Sequence, residues 1–157
     1  MFDLSGRVVV VTGGNGGIGL GMAAAVAEAG ADVAIWGRNA DKNARASDEL
    51  VNAYGRRVES WACDVSDEEQ VVTCFADTVD RLGKVDCLIA NAGIGGFSPF
   101  PEMPLSEWRR VMSVNLDGAE DSMVVQALHT FIAADPRVVA AVIRYLDTGR
   151  LLAPTAG

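Results

Sequence analysis

Short apolar runs alternate with longer amphipathic or alanine-rich segments along the first ninety residues. Four of the runs predict strands that are buried on both faces, because such strands carry apolar side chains at consecutive positions. A glycine follows each of the three intervening segments and predicts where each helix ends. The predicted strands are 7–12, 32–36, 57–61 and 86–90, and the predicted helices are 18–29, 41–54 and 66–82.

The strict alternation of strands and helices predicts the fold class. Repeated βαβ units form an α/β fold in which helices cover both faces of a parallel sheet. We therefore expect a three-layer, doubly wound parallel sheet of the Rossmann type. The chain contains no repeat, linker or low-complexity tract, so residues 1–157 are predicted to form a single domain.

Beyond the fourth strand the pattern is less regular. A stretch rich in glycine and proline, 95–104, predicts a loop, and 105–116 predicts a helix. Asp135 and a following proline resemble a helix start, which favours a helix over 137–146. The run 138–143 is equally compatible with a fifth strand, because periodicity does not separate the two for a short apolar run.

Composition and charge narrow the classes of partner. The formal net charge is -8, and no basic cluster is present to neutralise phosphates, so neither nucleic acid nor an anionic membrane is expected as a partner. The N-terminus lacks the features of a signal peptide, and no apolar stretch approaches the ~20 residues that span a bilayer. Three cysteines without CxxC spacing predict reduced thiols, a single histidine argues against a metal site, and the expected location is cytoplasmic.

A glycine-rich loop follows the first strand and precedes the first helix. Glycines permit a tight turn and a close approach of the backbone to a pyrophosphate, and the helix N-terminus supplies N–H donors and a positive dipole end. The strand and the helix on either side are the context that this mechanism requires. A purely structural turn is the alternative. The predicted dinucleotide-binding residues here are Thr12, Gly13, Asn15, Gly16, Gly17, Ile18 and Gly19.

Four segments in order resemble the short-chain dehydrogenase/reductase family. They are Thr12-Gly13-x-x-x-Gly17-x-Gly19, Cys63-Asp64-Val65, Asn91-Ala92-Gly93 and Ser113-Val114-Asn115-Leu116. The resemblance covers residues 4–118 and leaves 119–157 divergent. It implies an oxidoreductase that transfers hydride between a nicotinamide dinucleotide and a carbonyl or alcohol carbon of a small-molecule substrate.

The resemblance also implies roles for single residues. Asp64, followed by Val65, would face the adenine, whereas Asn91 would brace the glycine loop beside Thr12. Ala92 would also bind the cofactor, and Gly93 and Ile94 would lie along the ribose–nicotinamide side. Asn115 would belong to the catalytic tetrad and help to hold a water. The alternatives are a helix-capping aspartate for Asp64, a turn asparagine for Asn91 and an ordinary helical residue for Asn115.

The end of the second strand bears on cofactor preference. An acidic residue there would bond the ribose 2′-hydroxyl of NAD(H) and repel a 2′-phosphate. The strand instead runs into Arg38 and Asn39, with no carboxylate before Asp41. Because Arg38 can form a charge-assisted contact with a 2′-phosphate, we expect NADP(H) to be favoured over NAD(H). A solvated surface arginine is the alternative.

The catalytic part of the family pattern is absent from this sequence. The family chemistry needs Tyr-x-x-x-Lys, which places both side chains on one helix face, and a serine beside them. Neither Tyr54 nor Tyr145 has a lysine four residues later, Lys84 is the last lysine, and no serine follows Ser122. The chain alone is therefore expected to be inactive, and a non-catalytic nucleotide-binding or interaction module is the alternative function. A truncated or frameshifted product, a fragment of an assembly and a natural pseudoenzyme are the competing explanations.

A sheet truncated after about four or five strands has a physical cost. The family strand order would place the strand at 85–90 near the centre, but without later strands it becomes an edge, which invites pairing with other chains. We therefore expect marginal stability and self-association. The helical region 105–134 resembles one that helps to form family dimers, so a homo-oligomer is also possible.

Overall fold

The computed structural model describes residues 3–123, in which strands and helices alternate as predicted. The bounds of the elements before residue 90 differ from the predicted ones by at most two residues. A 3-10 turn at Phe100–Glu102 precedes the α-helix that begins at Leu105, and a π-helical turn at Ser113–Asp117 follows that helix. The elements are β1 (Val8–Thr12), α1 (Gly17–Glu28), β2 (Asp32–Gly37), α2 (Ala40–Tyr54), β3 (Val58–Ala62), α3 (Glu68–Leu82), β4 (Cys87–Ile89) and α4 (Leu105–Met112).

The four strands form one parallel sheet in the order β3-β2-β1-β4. Val10 of β1 lies beside Ala34 of β2 on one side and beside Leu88 of β4 on the other. All four strands therefore end at the same edge of the sheet, which is where ligands bind in open parallel sheets. In the part of the chain that the structure describes, β4 has β1 as its strand neighbour and lies at one end of the sheet.

The valines of β1 build the two hydrophobic layers of the core. Val8 and Val10 face α3, where they pack in a cluster with Phe75, whereas Val9 and Val11 face α1 and α2. All four are at most 2% exposed, and each contributes about 2 kcal/mol by burial. Helices thus cover both faces of the sheet, which confirms the predicted three-layer α/β fold.

Helix α3 begins at a different residue from the one that the sequence predicted. The spacing Ser66-x-x-Glu69 predicts a capping box with Ser66 as the N-cap, but Asp67 caps the helix by accepting a hydrogen bond from the Gln70 N–H at 3.2 Å. The Gln70 side chain donates back to Asp67 at 2.7 Å. The Ser66 hydroxyl instead donates a hydrogen bond to Asp64 at 2.7 Å, in the turn before the helix.

The helix predicted over 105–116 is α-helical only as far as Met112. In the π-helical turn that follows, the Gly118 N–H donates to the carbonyl of Ser113. The wider turn buries Val114 in the core and brings Gly118 against the main chain of Val65, where a Cβ would lie 2.6 Å from the carbonyl oxygen. Packing against β3 and α3 therefore overrides the regular helical spacing.

Several predictions fall wholly or partly outside residues 3–123. The helix over 137–146 and the alternative strand over 138–143 lie outside the described residues, as does the part of the 105–134 region after residue 123. Within 3–123, no helix is long and apolar enough to cross a membrane. All three cysteines are free thiols; Cys63 and Cys74 are buried, and Cys87 is exposed.

Asp86 ties the start of β1 to the start of β4. Its carboxylate accepts hydrogen bonds from the Val8 N–H and the Arg7 guanidinium, both at 2.9 Å. Burial acts to raise the pKa of the carboxyl, but hydrogen bonds from Lys84 and Val8 outweigh it and lower the pKa. The interaction therefore stabilises the fold above the unfolded-state pKa, about 3.9, and is lost as the pH falls through the folded-state value.

We expect Asp86→Asn to lower the free energy of unfolding by about 1 kcal/mol at neutral pH, because charge-assisted hydrogen bonds become neutral ones. The difference from the unaltered chain should shrink as the pH falls below about 3.9 and through the lowered folded-state pKa, because the aspartate is then itself protonated. Urea denaturation across this range measures it. Asp80→Asn, at an exposed position on α3, is the control, and an equal loss in both variants at neutral pH would contradict the assignment.

Candidate nucleotide-binding site

A cleft of about 430 Å³ lies at the edge of the sheet where the strands end. It gathers residues from the glycine loop, from the β2–α2 loop and from the segments after β3 and β4. Thr12, Gly17 and Asn115 are the predicted site residues that do not line it. Those that do are Gly13, Asn15, Gly16, Ile18, Gly19, Arg38, Asn39, Asp64, Val65, Asn91, Ala92, Gly93 and Ile94.

The glycine loop leads into α1 and places the uncapped N-terminus of that helix at the cleft. Gly13 has a φ of 66°, a left-handed conformation that costs glycine little and other residues more. Gly16 occupies the N-cap position of α1 and has no side chain with which to cap the helix. The first N–H groups of an α-helix have no partner within the helix and favour an anionic ligand. The start of α1 is therefore suited to a pyrophosphate.

Gly19 allows the first turn of α1 to lie against the ends of β1 and β4. A Cβ at this position would collide with the carbonyl oxygen of Gly13 and would lie 2.5 Å from the side-chain nitrogen of Asn91. Gly19 is itself buried, so the space is already filled by its neighbours. The close helix–strand packing expected of this glycine is thus a steric requirement of the loop.

Thr12 and Asn91 join the ends of β1 and β4 by hydrogen bonds. The Thr12 hydroxyl accepts from the N–H groups of Asn91 and Ala92, each at 3.0 Å. The Asn91 side chain donates to the carbonyl of Thr12 at 2.9 Å and approaches that of Gly13 at 3.5 Å. Asn91 therefore braces the glycine loop beside Thr12, and Thr12 acts from beneath the loop rather than from the cleft wall.

Opposite charges face each other where the adenosine half of a dinucleotide would lie. A guanidinium nitrogen of Arg38 is 3.9 Å from a carboxylate oxygen of Asp64, and the Arg38 side chain is 64% exposed. The Ser66 hydroxyl donates to Asp64 and lowers the pKa of its carboxyl; burial acts the other way and is outweighed. Asp64 thus remains ionised and able to accept a hydrogen bond, and it shapes the turn before α3 without capping that helix.

Five lining residues were not predicted as site residues. Lys42 is the most informative of them, because it places a second cation beside Arg38 in the same cleft. Asn39 fixes the position of Lys42 in the first turn of α2, because Asn39 caps that helix by accepting a hydrogen bond from the Lys42 N–H at 2.9 Å. An N-cap signal followed three residues later by lysine was therefore available in the sequence. The unpredicted lining residues are Trp36, Gly37, Lys42, Cys63 and Val114.

Asn115 lies in the π-helical turn, next to the segment that follows β4. Its side-chain oxygen accepts from the Ile94 N–H at 2.8 Å, and its side-chain nitrogen donates to the Ile94 carbonyl at 3.0 Å. The amide is thus engaged at both ends with one residue of the cleft wall. In this structure Asn115 positions the loop after β4 and does not itself line the cleft.

The one tyrosine among the described residues lies away from the cleft. Tyr54, the tyrosine among them, packs against the core cluster formed by α1, α2 and the sheet, and it does not line the cleft. Tyr145 and His129 lie outside residues 3–123. Within the described part of the chain, no group of three histidine, cysteine or acidic side chains is placed to hold a metal ion.

The parallel sheet, the uncapped helix start and the glycine loop together define a dinucleotide-binding α/β domain of the Rossmann type. The chain belongs to the short-chain dehydrogenase family, whose model matches residues 7–141. The match extends past residue 118, where the resemblance in the sequence was expected to end.

Relatives and solved structures agree with this placement. The chain is 40% identical over 124 residues to a probable NADP-dependent mannitol dehydrogenase of Yarrowia lipolytica, a match that covers 75% of this chain and 43% of the relative. It resembles an NADPH-dependent 3-quinuclidinone reductase from Rhodotorula rubra with a TM-score of 0.73 and 38% identity, over 85% of this chain and 50% of that one. An NAD+-bound xylitol dehydrogenase matches with a TM-score of 0.75 and 32% identity, and the match covers 81% of this chain and 50% of that one. The chain thus spans about half the length of the proteins it matches.

We expect Gly19→Ala to destabilise the fold by about 1–3 kcal/mol, because its methyl group has no room beside Gly13 and Asn91. Gly21→Ala on the exposed side of the same helix is the matched control. Its Cβ meets nothing within 4 Å, so this variant should be more stable than the unaltered chain by about 0.5–1 kcal/mol. Thermal unfolding measures both, and a stable Gly19→Ala variant would show that the packing is looser than described.

Proposed function

We propose that this chain binds NADP(H) in the cleft, as the cofactor-binding portion of an oxidoreductase. The whole protein's reaction would be hydride transfer between NADP(H) and a carbonyl or alcohol carbon of a small-molecule substrate, in the cytoplasm. The observation that carries the proposal is the cleft itself, where the uncapped start of α1, Arg38 and Asp64 face one space. A dinucleotide offers matching groups in that order: a pyrophosphate, a ribose and an adenine.

The placement of the cofactor follows from the chemistry of each wall. The pyrophosphate would lie at the start of α1, where Gly16 and Gly17 have open space beside them, and Asp64 would accept a hydrogen bond from the adenine amino group. The ribose would lie between them, near Arg38 and Asn39. Ala92 and Gly93 would line the nicotinamide side.

The preference for NADP(H) rests on the β2–α2 loop. Related folds hold either cofactor, as the names of the NADPH-dependent reductase and the NAD+-bound dehydrogenase indicate, so the fold itself does not discriminate. In this chain Arg38 and Lys42 both line the cleft, and the nearest carboxylate to Arg38 is that of Asp64 at 3.9 Å. Two cations favour a 2′-phosphate by charge-assisted contacts that a 2′-hydroxyl does not make.

A second candidate function is a nucleotide-binding module without turnover. The specific observation in its favour is that Asn115, the one residue assigned to the catalytic set, has both ends of its amide bonded to Ile94. The sequence also lacks Tyr-x-x-x-Lys.

We expect saturable binding that is tighter for NADPH than for NADH when the chain is titrated and tryptophan fluorescence is followed, because Trp36 lines the cleft. Arg38→Ala should weaken NADPH binding by about 10- to 100-fold and leave NADH binding nearly unchanged. Arg45→Ala, an exposed arginine of the same helix region, is the control. Failure to bind either dinucleotide at millimolar concentration would contradict the proposed function, whereas equal weakening of both would contradict the role of Arg38 alone.

We expect no steady oxidation of NADPH when the purified chain is supplied with a panel of ketoses and other carbonyl compounds, because the tyrosine and lysine that would move the proton are absent. Absorbance at the nicotinamide band measures the rate. Turnover that tracks the protein through purification would exclude the non-catalytic alternative. It would also require a proton donor that the family pattern does not predict.

A further inference from the structure

Asn43 is a buried polar residue on α2 whose bonds converge on the glycine loop. We propose that Asn43 is a positioning residue for cofactor binding. It holds the glycine loop in its pyrophosphate-binding form by accepting a hydrogen bond from the side chain of Asn15. This inference rests on the proposed function, because it assigns the loop to the pyrophosphate. Asn43 itself does not line the cleft.

The hydrogen bonds of Asn43 leave its side chain a single orientation. Its Nδ2 donates to the carbonyl of Gly37 at 2.7 Å and to that of Trp61 at 2.8 Å, while its Oδ1 accepts from Asn15 Nδ2 at 2.6 Å. The residue is 1% exposed. Because both carbonyls require a donor, the amide cannot be turned over without opposing acceptor to acceptor. Asn43 therefore links the ends of β2 and β3 to the loop after β1.

Gly37 provides the surface on which this contact rests. A Cβ there would lie 2.5 Å from Asn15 Nδ2 and 2.8 Å from Asn43 Oδ1. The side-chain amides of the two asparagines therefore meet in direct contact with the backbone at the end of β2. The lack of a side chain at Gly37 admits the contact. The geometry thus brings the middle of the glycine loop down onto the end of β2.

The loop is held from two sides. Asn91 approaches the Gly13 carbonyl from the β4 side at 3.5 Å, and Asn43 holds Asn15 from the β2 side. Gly16, at the N-cap, has no side chain to hold the remaining part of the loop. Fixing Asn15 before the ligand arrives reduces the ordering cost of binding, which is the general benefit of preorganisation.

Asn43→Leu removes all three hydrogen bonds while retaining a side chain of similar size. We expect the affinity for NADPH and for NADH to fall by the same factor, about tenfold, because the pyrophosphate is common to both. Adenosine 2′-monophosphate carries no pyrophosphate, so its affinity should be unchanged within about twofold. Asn52→Leu, at an exposed position of the same helix, is the matched control and should bind all three ligands as the unaltered chain does.

Asn15→Ala keeps the test valid if Asn43→Leu does not fold, because it leaves the buried bonds to Gly37 and Trp61 in place. It should cause the same loss for both dinucleotides, and the double variant should lose little more than either single one. Equal weakening of adenosine 2′-monophosphate, or additive losses in the double variant, would overturn the positioning role. If the unaltered chain binds neither dinucleotide, the proposed function falls and this inference with it; if it binds and both variants bind equally well, only this inference falls.

Discussion

The close approach of helix α1 to the ends of β1 and β4 is the constraint on which the rest of the site depends. Gly19, Gly13 and Asn91 meet in a space that would not admit one further carbon atom. The approach places the uncapped helix start at the carboxyl edge of the sheet, and the Thr12 and Asn91 hydrogen bonds hold the two strands that flank it. A steric condition at one glycine therefore determines where an anion can bind.

Local charge at the cleft differs from the charge of the whole chain. The protein carries a formal net charge of -8, yet Arg38 and Lys42 line the cleft at the end of β2, and the dipole of α1 adds a positive end. Asp64 balances Arg38 across the opening, and its hydrogen bonds from Ser66 keep it ionised. Nucleotide recognition at such a site depends on a few placed groups and not on overall composition.

Three asparagines, of which Asn43 is buried, connect the parts of this site. Asn91 joins the ends of β1 and β4, and Asn43 joins the ends of β2 and β3 to the glycine loop. Asn115 joins the π-helical turn after α4 to the segment after β4. An amide offers donors and an acceptor in one small side chain, so each asparagine satisfies backbone groups that would otherwise be left unpaired where strands end. Asn43 and Asn115 therefore help to assemble a cleft that they do not themselves line.

The sequence by itself determined the order of elements, the buried β1, the glycine loop and the segments after β3 and β4. These features depend on side-chain periodicity and on short motifs, both of which are local. The tertiary structure alone decided that Asp67 and not Ser66 caps α3, that the helix after α4 widens at Val114, and that Asn43 reaches Asn15. The cap depends on how the hydrogen bonds of Asp64, Ser66 and Asp67 are arranged in one turn, which the residue types alone do not decide. The other two depend on groups that are distant in the chain, and residues 28 positions apart, such as Asn15 and Asn43, meet only when the sheet has formed.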